Sequence, residues 1–172
     1  MKPDLFHREL RLPAGRFDDQ ALMQEALREA REAWDRGEAP VGAVVIDPVG
    51  EIIGRGSNRP LASHDPTAHA EIVALRQAAT RLGNYRLPGC SIYVTIEPCI
   101  MCLGALLQAR LRRVVFGAPD PKGGACVSLY RLPEDTRLNH RLEVVQGVCE
   151  AECRSLIQEF FRQRRKAAKP GR

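Results

Sequence analysis

No stretch of the 172-residue chain approaches the roughly 18 to 20 consecutive apolar residues of a membrane span. The opening segment, residues 1–10, interleaves charges with apolar positions and offers no run of the secretory kind. A cytoplasmic location with no membrane partner is therefore the expectation. Aromatic residues are scarce at 5%, and lysine supplies only four of the 26 basic residues, the other 22 being arginine. Arginine suits bidentate phosphate contacts, although genomic codon bias is the simpler source of most of them. Six cysteines are present. A chain this long buries enough apolar surface without disulfide staples, so they read as thiols or metal ligands. With 44% hydrophobic and 27% charged residues, the composition excludes fibrous, disordered and large multidomain readings.

The formal net charge is +5, and its placement is uneven: residues 159–172 hold six of the 26 basic and one of the 21 acidic residues, leaving 20 against 20 in the rest of the chain. A basic end points to an anionic partner such as nucleic acid or lipid headgroups, or is simply a solvated terminus.

Periodicity divides the chain into an irregular arm (1–17), a single domain (18–166) ending in a basic helix, and a basic tail (167–172). Asp18 and Asp19 offer N-caps for a helix reaching about Gly37, with Leu22, Ala26, Leu27, Ala30, Ala33 and Trp34 on one side. Val41 to Ile46 and Glu51 to Gly54 flank the turn Asp47-Pro-Val-Gly50 and form a hairpin. A loop over Asn58 to Thr67 leads to a helix from Ala68 to Leu82. Ser91 to Ile96 is a third strand, halted where Pro98 forces Glu97 into an extended conformation. A helix from there to Arg110, a strand at Arg113 to Phe116, a loop-rich stretch, a strand at Leu142 to Val145 and a helix from Glu150 to Lys166 complete the series. Helices interspersed among about five strands predict an α/β layered domain with a mixed sheet.

Two segments carry the chemistry: Thr67-Ala-His-Ala-Glu71 and Pro98-Cys-Ile-Met-Cys102, each at a predicted helix start. Cysteines at i and i+3 share a helical face, and the positive helix N-terminus favours their thiolates. His69 adds an imidazole, and one histidine with two cysteines leaves a tetrahedral zinc one open position, the mark of a catalytic site. Positions i and i+2 diverge on a regular helix, so His69 and Glu71 converge only if they lie at its first turn. Glu71 then sits where it can take a proton from water whose pKa zinc lowers from 15.7 to about 7. Taken singly, Cys-x-x-Cys is also a redox pair or part of a structural zinc site. Cys90, Cys126, His64 and His140 lack convincing ligand spacing and are assigned to packing or loops. Cys149 and Cys153 read as ordinary thiols on one face of the last helix.

These segments resemble the zinc-dependent cytidine and deoxycytidylate deaminase superfamily, whose signature is His-x-Glu followed by Pro-Cys-x-x-Cys. The resemblance is closer to the bacterial tRNA adenosine deaminases. It is carried by Pro40-Val-Gly-Ala-Val44, Asn58-Arg-Pro60, Asp65-Pro-Thr-Ala-His-Ala-Glu71, Tyr93-Val-Thr-Ile-Glu-Pro-Cys-Ile-Met-Cys102, Val114-Val-Phe-Gly117 and Phe160-Phe-Arg-Gln-Arg-Arg165. It implies a three-layer α/β/α cytidine-deaminase-like fold, one zinc ion (Zn2+) per subunit on His69, Cys99 and Cys102, and Glu71 as general acid/base. The implied reaction is hydrolysis of the wobble adenosine to inosine in a tRNA anticodon stem-loop, in an arginine tRNA, by a homodimer. Asn58 and Ala70 correspond to nucleoside-binding positions and Asp120 to one near a flanking sugar, while Asn58 also reads as a loop cap and Asp120 as a plain Asp-Pro turn. Lys122, Phe161, Arg164 and Arg165 are candidates for RNA contact, with packing expected for at least one of Phe160 and Phe161. Pro119 stands where the family has a more polar or basic residue. A deaminase of guanine, cytosine or a free nucleoside, and a zinc-stabilised RNA-binding module without catalysis, are the competing readings.

Overall fold

The structure, a computed structural model, describes residues 17–168. The arm expected at 1–17 lies outside the described residues except for Phe17, as does the tail beyond Ala168. Helix α1 (Asp19–Asp35) begins where Asp18 Oδ1 accepts the Ala21 N–H at 3.0 Å, the N-cap anticipated from the sequence. Strands β1 (Gly42–Ile46) and β2 (Ile52–Ser57) pair antiparallel through the Asp47 turn. The one-turn helix α2 (Pro60–Ser63) is followed by α3 (Ala70–Leu82), β3 (Ser91–Ile96), α4 (Ile100–Gln108), β4 (Arg113–Ala118), β5 (Glu143–Gln146) and α5 (Glu150–Ala167).

The strands form one mixed sheet in the order β2-β1-β3-β4-β5: β1 runs antiparallel to both neighbours, while β3, β4 and β5 are parallel. Because alternate side chains of a strand face opposite ways, the sheet carries two apolar faces. Ala43, Val45, Ile92, Val94, Val114 and Phe116 pack against α3 and α4 residues such as Ala74, Ala78, Leu103 and Leu106. Val44, Ile46, Tyr93 and Val115 pack against Met23, Ala26 and Leu27 of α1 and against Cys153 and Leu156 of α5. The domain is thus the expected three-layer α/β/α arrangement.

Close packing fixes where α3 begins. A Cβ on Gly56 would stand 2.2 Å from the Ala70 carbonyl oxygen, so only a glycine in β2 lets the first turn of α3 sit directly on the sheet. On the opposite face, Asp19 ties the start of α1 to β3 and β4. Its carboxylate accepts from the Tyr93 hydroxyl at 2.7 Å and from two Arg113 nitrogens at 2.9 and 2.8 Å.

Burial alone raises the Asp19 pKa, but hydrogen bonds from Arg113 and Tyr93, with the Arg113 charge, outweigh it and hold the carboxyl below its usual value. The stability these contacts contribute is therefore fully present above the usual carboxylate pKa and is lost as pH falls through the depressed one. Asp19→Asn is expected to cost about 2 kcal/mol at neutral pH, the scale of a lost charge-assisted hydrogen-bond set. In urea unfolding at stepped pH, its deficit against the parent chain shrinks below about pH 4.

Candidate metal centre and active site

Both motif helices start one step later than the periodicity suggests, and for one reason. His69 and Cys99 are not helical residues but the N-caps of α3 and α4, with extended backbones (φ −70°, ψ 154° and φ −73°, ψ 172°) and no side-chain bond to their own helices. Their side chains are free to leave the helix ends and meet. His69 Nδ1 lies 3.5 Å from Cys102 Sγ and 3.7 Å from Cys99 Sγ. All three donor atoms fall within 4.8 Å of one another, the metal-competent cluster among the described residues. Tetrahedral zinc with Zn–S near 2.3 Å and Zn–N near 2.05 Å requires nitrogen and sulfur about 3.6 Å apart, so the donor set fits the ion.

The protonation pattern already suits a cation. A hydrogen bond from Cys102, then one with His69 and its charge, hold the Cys99 thiol down to about 4 against the opposing effect of burial. Cys102, the donor in that pair and a buried one, is pushed up correspondingly. His69 is raised, chiefly by its hydrogen bond to Cys99 and then by the Glu71 charge, with burial acting the other way.

Glu71 is the second residue of α3, buried at 4% exposure, and its carboxylate shares a hydrogen bond with the Cys102 thiol. Burial pushes its pKa up to about 7. His69 and Glu71 therefore converge at a first turn, as the motif requires. Asn58, just past β2, accepts the Ala70 N–H on Oδ1 at 2.9 Å. It caps α3 from outside, in place of the helix's own N-cap residue, and its amide nitrogen is left as the outward donor. Ala70 itself is fully buried.

The remaining candidates are more dispersed. Asp120 Oδ1 accepts the Lys122 N–H at 3.0 Å, the geometry of the Asp-Pro turn, and Lys122 is exposed. On α5, Phe160 is buried edge-on against Trp34 at 5.2 Å, whereas Phe161 is 44% exposed. The Arg164 guanidinium stacks over the Phe160 ring at 5.4 Å, and Arg165 is exposed. None of Cys90, Cys126, His64 and His140 joins the cluster: the two cysteines are buried, His64 ends α2 in a left-handed conformation, and His140 bonds the Leu111 carbonyl. Cys149 is the N-cap of α5, with φ 54°, and only Cys153 is within the helix. The sequence reading missed Glu97, which no local pattern marks, since its partners lie 23 to 31 residues away.

Comparison with known proteins agrees with this geometry. The sequence pattern of the MafB19-like deaminase family matches residues 17–165. The tRNA-specific adenosine deaminase of Haemophilus influenzae is 48% identical over 151 residues, covering 88% of this chain and 87% of that one. A solved structure from a study of A-to-I editing by tRNA:A34 deaminases at the wobble position superimposes with a TM-score of 0.76 at 45% identity, over 79% of this chain and 98% of that one. The guanine deaminase of Nitrosomonas europaea is more distant, with a TM-score of 0.68 at 25% identity over 82% and 83% of the two chains. On the strength of the pattern and the identity together, the chain belongs to the MafB19-like deaminase family, alongside the tRNA-specific adenosine deaminases.

Proposed function

We propose that this protein hydrolytically deaminates adenosine to inosine at the wobble position of a tRNA anticodon, and that it works as a cytoplasmic homodimer. The observation that carries the reading is the buried Glu71 carboxylate at the first turn of α3, beside the cluster of His69, Cys99 and Cys102. Those three residues would hold one zinc ion, which supplies the Lewis acidity that makes water a nucleophile near neutral pH. Glu71 takes the proton from the attacking water, delivers it to the ring nitrogen next to C6, and then protonates the departing ammonia. Asn58, its oxygen engaged by the helix, offers its amide N–H to an acceptor on the extruded nucleoside. Asp120 stands at a flanking sugar. Exposed Leu61 and Ile100, on the elements that carry Asn58 and Cys99, are apolar surface for a second subunit to cover. No helix among the described residues is long and apolar enough to cross a membrane.

The relatives' substrates and the position of α5 favour RNA over a free base. Gly117 of β4 meets both Cys153 of α5 and the Thr95 carbonyl, and Phe160 then packs on Trp34 near the end of α1. Helix α5 thus runs toward the end of the sheet where α3 and α4 begin, and it ends in Arg164, Arg165 and Lys166. Changing both Arg164 and Arg165 to alanine is expected to weaken stem-loop binding and to flatten the plot of log K against log salt by about 1, the release of roughly two counterions. An unchanged slope in a fluorescence titration assigns these residues to solvent.

The test of the reading compares substrates for the zinc-replete protein. Inosine formed from an anticodon stem-loop carrying adenosine, without turnover of free guanine, supports it. Rapid turnover of guanine with no effect on the RNA replaces it with a small-molecule deaminase.

A further inference from the structure

Glu97 closes β3 one residue before Pro98-Cys99, and it is 3% exposed. Its carboxylate is the hub of a loop some distance along the chain. Oε1 accepts the N–H groups of Cys126, Val127 and Ser128 at 3.0, 2.7 and 3.0 Å. Oε2 accepts the Asp120 N–H at 3.0 Å and the Ser128 hydroxyl. All five partners donate, so only a group with acceptors on both arms satisfies them; an amide would turn its NH2 against other N–H groups. These bonds, led by the one from Ser128, keep the carboxyl below its usual pKa although burial acts to raise it.

The same loop is joined to the cysteine segment beside Glu97. Ala125 N–H donates to the Pro98 carbonyl at 2.9 Å, and Gly124 bridges Cys99 antiparallel. A Cβ on Gly124 would stand 2.3 Å from the Glu97 carboxyl, so a glycine is what lets the backbone fold over the carboxylate. The loop held in this way carries Asp120 and Lys122, yet contributes none of the three metal-competent donor atoms and not the Glu71 carboxylate.

We propose that Glu97 is the positioning residue that holds the 120–128 loop against the Pro98–Cys99 segment and thereby sets the affinity for the nucleotides flanking the target base. This rests on the tRNA reading above. Without the carboxylate the loop must be ordered at the moment of binding, which weakens substrate affinity rather than the chemical step.

The test uses the full zinc-loaded chain. Glu97→Gln is expected to raise KM for the stem-loop about tenfold, equivalent to 1.4 kcal/mol, with kcat and zinc content within about twofold of the parent. Gly124→Ala should do the same and add little when combined with Glu97→Gln, because both act on one contact. Ser128→Ala, which removes a single donor and carries the test even if Glu97→Gln does not fold, should raise KM by about threefold. Loss of zinc, a fall in kcat at constant KM, or additive effects in the double variant would overturn the assignment. Amide hydrogen exchange separates the two layers. Val127 and Ser128 N–H groups should lose protection in Glu97→Gln whatever the substrate proves to be, and their retained protection refutes the clamp. A parent chain inactive on RNA, with those amides released by Glu97→Gln, refutes only the tRNA reading.

Discussion

Replacing Glu71 by glutamine is expected to lower the rate of inosine formation by about three orders of magnitude while the chain keeps its full complement of zinc. The exchange is nearly isosteric, so the packing of the first turn of α3 is retained. What changes is that an amide neither accepts a proton from water nor returns one to a leaving amine, and positioned proton transfer contributes roughly 10²- to 10⁴-fold. The residue touches the Cys102 thiol without being one of the three convergent donors, so metal content is predicted to survive. Stability should hold as well, since a neutral amide in a buried position avoids the desolvation of a carboxylate. Single-turnover kinetics on the stem-loop, with zinc measured on the same samples, checks both halves. Activity within tenfold of the parent would mean that another group moves the proton, and it would revive the non-catalytic module.

Stripping the metal should have the other large effect, on stability as well as on rate. His69, Cys99 and Cys102 are held with nitrogen and sulfur atoms 3.5 and 3.7 Å apart by the ends of two separate helices. An ion bound there cross-links α3 to α4. A ligand present at about a thousand times its Kd stabilises a fold by about 4 kcal/mol. For a domain of this size each kcal/mol is worth about 2–4 °C. Chelation is therefore expected to lower Tm by roughly 10 °C and to abolish deamination, with both restored by added zinc. Cys102→Ala, which removes a fully buried donor, should reproduce the chelated state irreversibly. A melting curve and an activity indifferent to both treatments would assign the three residues to packing.

Much of this site was legible in the sequence because its logic is local. Asp18 announces the start of α1, the turn at Asp47 announces the hairpin, and His-x-Glu with Pro-Cys-x-x-Cys announces two helix starts that bear donors. The helix boundaries shifted because His69 and Cys99 act as caps in position only: their backbones are extended and their side chains serve the cluster. Helix α2 was read as loop. A single turn opened by Pro60 has little periodicity, and part of what holds it is distant, the buried Glu38 carboxylate accepting the Ala62 N–H at 2.8 Å. Strand β2 reaches Ser57, past Gly54 and Gly56, residues that look like strand breakers but make room for the α3 backbone. Glu97 was invisible for the same kind of reason: a glutamate before a proline reveals nothing of five donors folded over it from another part of the chain. The charge count was readable, but its meaning required the path of α5, which takes the basic end toward the helix starts that form the site.

The central claim is that water, activated in the site and relieved of its proton by Glu71, replaces the amino group of an adenosine in tRNA. The most direct measurement is deamination of the adenosine-bearing stem-loop by the zinc-loaded protein in water enriched in oxygen-18, followed by nucleoside mass spectrometry and an ammonia assay. The account predicts inosine carrying one solvent-derived oxygen, with ammonia released in equal amount. The absence of inosine, or inosine whose new oxygen does not come from solvent, contradicts it.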